Sequence, residues 1–210
     1  MTRGTTTAIS DGSFKKGYST SCSILHGSTN TTQIILINTV PGPTDSQSAY
    51  RSELAGISGS LLIIQAICKR HHIQNGCITI GLDGQSAMKS VSQKQQPKPQ
   101  QPDFDLLCDI RTKLLRLPIS VKWTWIKGHE DDHISFARLS PIAQDNVIAN
   151  NIAKTYVEHL ITAQQPIPNL RFTDESLTLY LGPNKQTHLN KQCIYDYLTQ
   201  PDIMEYWSQR

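Results

Sequence analysis

The chain reads as an α/β protein built on one mixed five-stranded sheet with flanking helices. Three observations predict this. Residues 5–40 hold three β-like runs separated by turn-forming residues. Apolar residues at 54, 57, 61, 64 and 67 recur at helical spacing. Two later β-like runs, 77–82 and 119–126, each follow a helical stretch. Strands joined by tight turns pair antiparallel, whereas strands entered through helical crossovers join in parallel. The opening meander is therefore antiparallel and the later strands parallel.

The elements follow in order. A first strand covers 5–9 and is expected to stop at Asp11-Gly12. Residues 18–25 and 33–40, rich in Ile, Thr, Val and Ser, flank the turn Gly27-Ser28-Thr29-Asn30, and Pro41-Gly42-Pro43 ends the meander. A helix is expected from about Ser46 to Arg70. Gly56 and Gly59 inside it mark either close packing on a sheet or a weak helix. The strand 77–82 ends at Asp83, and 84–91 reads as a short helix. The Gln-, Lys- and Pro-rich stretch 92–102 is a surface loop, either plain or a basic protrusion that touches substrate. Residues 103–116 are helical, 119–126 a strand, 128–140 a polar loop and 141–163 a helix. Beyond Pro166 come a strand-like piece at 177–181, a turn at 182–184 and an amphipathic helical stretch at 189–207. This divides the chain into a main domain, 1–163, and a strand–helix extension, 164–210, too short for a core of its own.

Composition narrows the class. An apolar fraction of 38% with 18% charged residues supports a packed core rather than disorder. The net charge of +3 suits a nucleic-acid partner without requiring one. Five scattered cysteines with no CxxC pair speak against a disulfide framework or zinc cluster and for a reducing, intracellular location. The longest apolar run, Leu61 to Ile64, is too short for a bilayer, and the N-terminus lacks signal-peptide architecture. No membrane role is expected.

Acid or amide residues stand where elements meet: Asp11, Glu53, Asp83 and Asn150, with His129 in the loop ahead of the last helix. Taken singly each has a plain reading: Asp-Gly-Ser as a turn, Glu53 as a solvated charge, Asp83 as a helix cap, His129 as a loop residue. Taken together, carboxylates from two strands and a helix can meet at one sheet edge. Buried anions so gathered need a cation. Mg²⁺ takes hard oxygen ligands and keeps several waters, and two such ions about 4 Å apart can drive phosphodiester hydrolysis.

Residues 5–163 resemble the ribonuclease H domain, most like those attached to the reverse transcriptases of retroelements (retrotransposons). The resemblance rests on Ser10-Asp11-Gly12-Ser13, Ser52-Glu53-Leu54-Ala55-Gly56, Asp83-Gly84-Gln85-Ser86-Ala87, Trp125-Ile126-Lys127-Gly128-His129-Glu130-Asp131-Asp132 and residues 143–154 around Asn150. Tyr180-Leu181-Gly182 and Glu205-Tyr206-Trp207 are similar to the tail that follows the nuclease in such elements. The resemblance implies a ribonuclease H-like fold and hydrolysis of the RNA strand of an RNA–DNA hybrid by two Mg²⁺ ions, for which Mn²⁺ can substitute. It implies that Asp11 bridges both ions, that Glu53 and Asp83 complete one, and that position 150 completes the other. It gives His129 a part in proton movement or product release, and Gly12, Ser13 and Gln85 a place against the RNA. It also implies a reverse transcriptase upstream in the same polyprotein.

One position departs from the family. Asn150 stands where ribonucleases H carry Asp, so the fourth ligand has no charge. Asp145 is no substitute: five residues back on one helix, it points roughly 140° away. Asn150 is equally consistent with an introduced substitution, a decayed copy or a natural low-activity variant. The chain is then a weakened nuclease or, alternatively, an inactive ribonuclease H-like module that still binds nucleic acid.

Overall fold

The computed structural model describes residues 6–27, 33–93, 95–172, 174–175 and 178–208. Residues 28–30 of the first expected turn, Thr5 and Leu177 lie outside them. Strands β1 (Thr7–Lys15), β2 (Tyr18–His26) and β3 (Gln33–Thr39) form the antiparallel meander, and β4 (Cys77–Leu82) and β5 (Ser120–Trp125) add in parallel. The strand order is β3-β2-β1-β4-β5.

The first strand does not stop at Asp11-Gly12; it runs on to Lys15. Its ladder with β2 pairs Asp11 with Cys22, Gly12 with Ser21 and Ser13 with Thr20, and those hydrogen bonds override the local turn preference of Asp-Gly. The reversal falls instead at Lys16-Gly17, both at positive φ (48° and 81°), the two-residue loop that suits the twist of an antiparallel pair.

Helix α1 (Ala49–Arg70) is capped by Ser48, whose hydroxyl accepts from the Arg51 N–H at 3.0 Å, and the residues before it, Thr44–Ser46, form a separate single turn. α1 packs on one sheet face through glycines. A Cβ on Gly12 of β1 would lie 2.5 Å from the Ser52 backbone, and one on Gly59 2.9 Å from Leu36. Helices α2 (Gln85–Ser92) and α3 (Phe104–Arg116) complete that layer, with Leu54, Ile57, Leu61, Ile80, Leu82, Leu106 and Ile110 fully buried between them. Helix α4 (Pro141–Thr162), capped by Ser140, covers the other face, where Ala149 and Ala153 meet Cys22 and Ile24. The small residues let the helix lie close: the Thr20 hydroxyl donates to the Ala153 carbonyl at 2.8 Å.

The C-terminal segment contains a hairpin, β6 (Leu179–Leu181) and β7 (Asn184–Gln186), and two helices, α5 (Lys191–Leu198) and α6 (Pro201–Ser208). The helical stretch expected as one piece breaks at Pro201, which cannot continue a helix. The segment is tied to the sheet layer by buried charge. Lys185 lies 2.9 Å from Asp105 and 2.7 Å from Glu175, while Arg51 holds both Asp105 and Asp103 at 2.7–2.9 Å. The Phe172 ring lies against both cations, its centre 4.3 Å from Lys185 Nζ and 5.8 Å from Arg51 Cζ. Burial alone would raise the Asp105 carboxyl, but Arg51 and Lys185 hold it below the usual range. Among the described residues no helix is long and apolar enough to cross a membrane, and the cysteines are free.

Candidate active site

Pairing between β1 and β4 is parallel and ends at Ile9–Gly81, so β1 continues past the end of its neighbour. That step in the sheet leaves room beside Asp11. Alternation turns Ser10 and Gly12 toward α1 and Ile9 and Asp11 toward α4. Asp83 follows β4 directly and enters the gap. Glu53 reaches it from α1, because Gly12 lets that helix approach without a Cβ between them. The three carboxylates each offer an oxygen within 4.8 Å of the others, and among the described residues they form the one such group of acid, histidine or cysteine side chains.

The cluster is short of partners. Asp11 is 3% exposed; its Oδ1 accepts from the Gly12 N–H at 2.6 Å, but Oδ2 has no partner, and neither has the buried Glu53 Oε2. Burial, reinforced by the charge of Asp83, lifts the Asp11 carboxyl from 3.8 to about 6, against the opposing influence of Glu53, Gly12 and Lys154. Glu53 is held far above its ordinary range by burial first and then by the charges of Asp11 and Asp83. Anions packed this way, with unpartnered oxygens turned inward, fit a divalent cation.

Helix α4 faces the cluster with one stripe of residues four apart: Asn146, Asn150 and Lys154. Asn146 is 3% exposed, with Nδ2 3.4 Å from Asp83 Oδ2. The charge of Lys154 is felt by Asp11. Half-buried Asn150 lies one turn from each. No carboxylate of α4 joins the group: Asp145 lies at 2.9 Å from His26 Nε2 instead. The other expected residues are arranged less tightly. His129, at positive φ in the loop after β5, has a side chain 65% exposed and 3.9 Å from Asp132, and it is not gathered with the carboxylates. Ser13 is half-buried on β1. Gln85 opens α2 beside Ser86, Met88, Lys89 and Trp125, which line an open groove next to the site. Asn146 and Trp125, whose indole donates to the Asp83 carbonyl at 3.2 Å, lie within the motifs quoted above, but sequence alone gives neither a role. In sequence, the four-residue spacing from Asn150 puts Asn146 on the same helix face but does not single it out.

No protein-family profile matches the chain, and no curated protein matches it. Solved structures do. The N-terminal RNase H domain of Mycobacterium tuberculosis Rv2228c, determined as a fusion with maltose-binding protein, superposes with a TM-score of 0.50 at 10% identity, covering 77% of this chain and 99% of that one. LC11 RNase H1, isolated from compost by a metagenomic approach, gives 0.52 at 8% identity, covering 75% and 99%. The fold is ribonuclease H-like. At these identities the likeness lies in the sheet order and its flanking helices, and the carboxylate cluster is this chain's own observation.

Proposed function

We propose that the chain is a metal-dependent endoribonuclease that hydrolyses the RNA strand of RNA–DNA hybrids, weakened by Asn150. The observation that carries this reading is the carboxylate group of Asp11, Glu53 and Asp83, with buried Asp11 Oδ2 and Glu53 Oε2 left without partners in a ribonuclease H-like fold. In this reading Asp11, Glu53 and Asp83 would hold two Mg²⁺ or Mn²⁺ ions, with Asn150 as the uncharged fourth ligand. When bound, the ions supply the positive charge that makes water nucleophilic and offsets charge on the phosphorane. Water would give up a proton and add to phosphorus, the bond to the 3′-oxygen would break and that oxygen would take up a proton, leaving a 3′-hydroxyl and a 5′-phosphate.

The chain's own residues orient the reaction. Gly12 holds Asp11 Oδ1 through its N–H and admits α1, and with it Glu53. Gly12, Ser13 and Gln85 face the RNA strand, where contact with the 2′-hydroxyl separates RNA from DNA. His129, on its exposed loop, assists proton movement or product release. Asn150 gives an amide oxygen where a charge would hold a cation more firmly; a loss of about 3 kcal/mol of transition-state stabilisation corresponds to about 100-fold in rate. Residues 1–163 carry the nuclease, and 164–210 are an extension that braces it. The motif resemblance supports a place downstream of a reverse transcriptase in a retroelement polyprotein, and five scattered cysteines without a CxxC pair support work inside a reducing cell compartment.

A second reading is favoured by one observation: α4 presents two amides and a lysine to the cluster, and no acid. The chain would then bind hybrid through phosphate contacts without cutting it. End-labelled hybrid incubated in Mg²⁺ or Mn²⁺ with the parent, Asn150→Asp and Asp11→Asn separates the two. Cleavage by the parent, faster in Asn150→Asp and absent in Asp11→Asn, is the expected result. A silent parent rescued by Asn150→Asp would support the binding module. Equal cleavage by parent and Asp11→Asn would remove the carboxylates from the mechanism.

A further inference from the structure

Asp83 is gripped from three directions. Its carbonyl accepts from the Trp125 indole at 3.2 Å, which fixes the backbone at the end of β4. The loop after β5 passes so close that a Cβ on Gly128 would lie 2.8 Å from Asp83 Oδ2. The third contact is Asn146, whose amide nitrogen lies 3.4 Å from that same oxygen. Trp125 acts on the main chain and Gly128 only limits space. Among the described residues, Asn146 is the donor that sets how the Asp83 carboxylate is turned.

Asn146 is costly where it stands. Asn is a poor helix former, and a buried amide is unfavourable unless its groups are bonded. Its side chain is 3% exposed, and Oδ1 has no partner. Asp11 Oδ2 and Glu53 Oε2 share that condition beside it, while other unpartnered buried oxygens, such as those of Gln47 and Glu175, lie away from the site. A residue serving only to pack α4 would do better as an apolar side chain, as its neighbours Val147, Ala149 and Ala153 do. We propose that Asn146 is a positioning residue that holds the Asp83 carboxylate ready for a divalent cation, linking α4 to the cluster one turn before Asn150. This rests on the nuclease reading given above. Partners that orient a ligand in this way change metal affinity by about 10- to 100-fold when removed.

The test measures Mn²⁺ affinity of the full chain by calorimetry and by the electron paramagnetic resonance signal of free Mn²⁺, without nucleic acid. Parent, Asn146→Ala, Asn146→Leu, Val147→Ala and Asp11→Asn are compared, each with a melting curve in EDTA. Leu keeps the branched outline of Asn, fills its space and favours helix, so Asn146→Leu should fold whether or not the Ala variant does. The expected result is Mn²⁺ affinity reduced about 10- to 100-fold in both Asn146 variants. Asn146→Leu should melt near the parent. Val147→Ala should melt lower yet keep the parent's Mn²⁺ affinity. If Asn146→Leu binds Mn²⁺ within threefold of the parent while Asp11→Asn loses it, Asn146 is a packing residue and the proposal fails, with the nuclease reading intact. A parent that binds no Mn²⁺, or binds it no better than Asp11→Asn, would overturn both.

Discussion

Asp11→Asn should make the metal-free protein more stable at neutral pH, by an amount that depends on pH. The Asp11 carboxyl is raised from 3.8 to about 6 by burial and by Asp83. The folded state therefore favours the protonated acid. Stability from this source is fully present below the unfolded value near 4 and is lost as pH rises through about 6. At roughly 1.4 kcal/mol per pH unit, the interval between 3.8 and about 6 amounts to about 3 kcal/mol. For a chain of this size each kcal/mol moves the melting temperature by about 2–4 °C, so the effect is about 6–12 °C. Glu53, displaced in the same direction, adds to it. Melting curves in EDTA between pH 4 and 7.5, for parent and Asp11→Asn, measure this directly. The variant should gain on the parent as pH rises from 4 to about 6 and hold that gain above it, and Mg²⁺ should narrow the gap by stabilising the parent. A difference that does not change with pH, or one that shrinks toward pH 7, would refute the idea that the carboxylates are held against their own charge.

Two further outcomes test the framework around the site. Gly12→Ala sets a methyl group 2.5–2.6 Å from the backbone of Ser52 and Glu53, so α1 must withdraw from β1. Overpacking of this kind costs about 1–3 kcal/mol. Urea denaturation should show that loss and hybrid cleavage should fall at least tenfold; a variant as stable and active as the parent would mean that the close approach does not fix Glu53. Lys185→Met leaves Asp105 and Glu175 without their shared cation, and breaking a buried pair from one side costs about 3–5 kcal/mol. Thermal melting should show a fall of about 6–20 °C, and an unchanged melting temperature would show that the buried charges are not what holds the extension.

The sheet and the three carboxylates were legible because their signals are local. A β-like run, a helical period and an acid at an element's end can each be read within a few residues of sequence, and Asp11, Glu53 and Asp83 do come together. The length of β1 was not legible, since Asp-Gly-Ser reads as a turn and only the pairing with Cys22, Ser21 and Thr20 keeps it extended. Asn146 was hidden for a related reason: in a stretch that also holds Asn150 and Asn151, only the distance to Asp83 distinguishes it. Lys185 and Glu175 look like surface charges in sequence, and their burial depends on partners from α1 and α3 far away in the chain. His129 marks the opposite limit. A motif in sequence led to it, and its exposed loop, apart from the carboxylates, adds no contact that would fix its part.

The ion network beneath Phe172 bears on how this molecule can be cut and shared. Arg51 stands two residues before Glu53 on the same helix, fastened by Asp103, Asp105 and the Pro41 carbonyl. Asp105 is in turn fastened by Lys185 from the hairpin near the other end of the chain. A graft stopping after α4 would carry every expected ligand but leave Asp105 with one cation in place of two, and Arg51 without the aromatic ring beside it. The fragment would look complete on paper and be loose at the helix that delivers Glu53. Transplanting this ribonuclease H-like fold into another protein means moving the sequence through Thr187, so that the anchor travels with the residue it steadies.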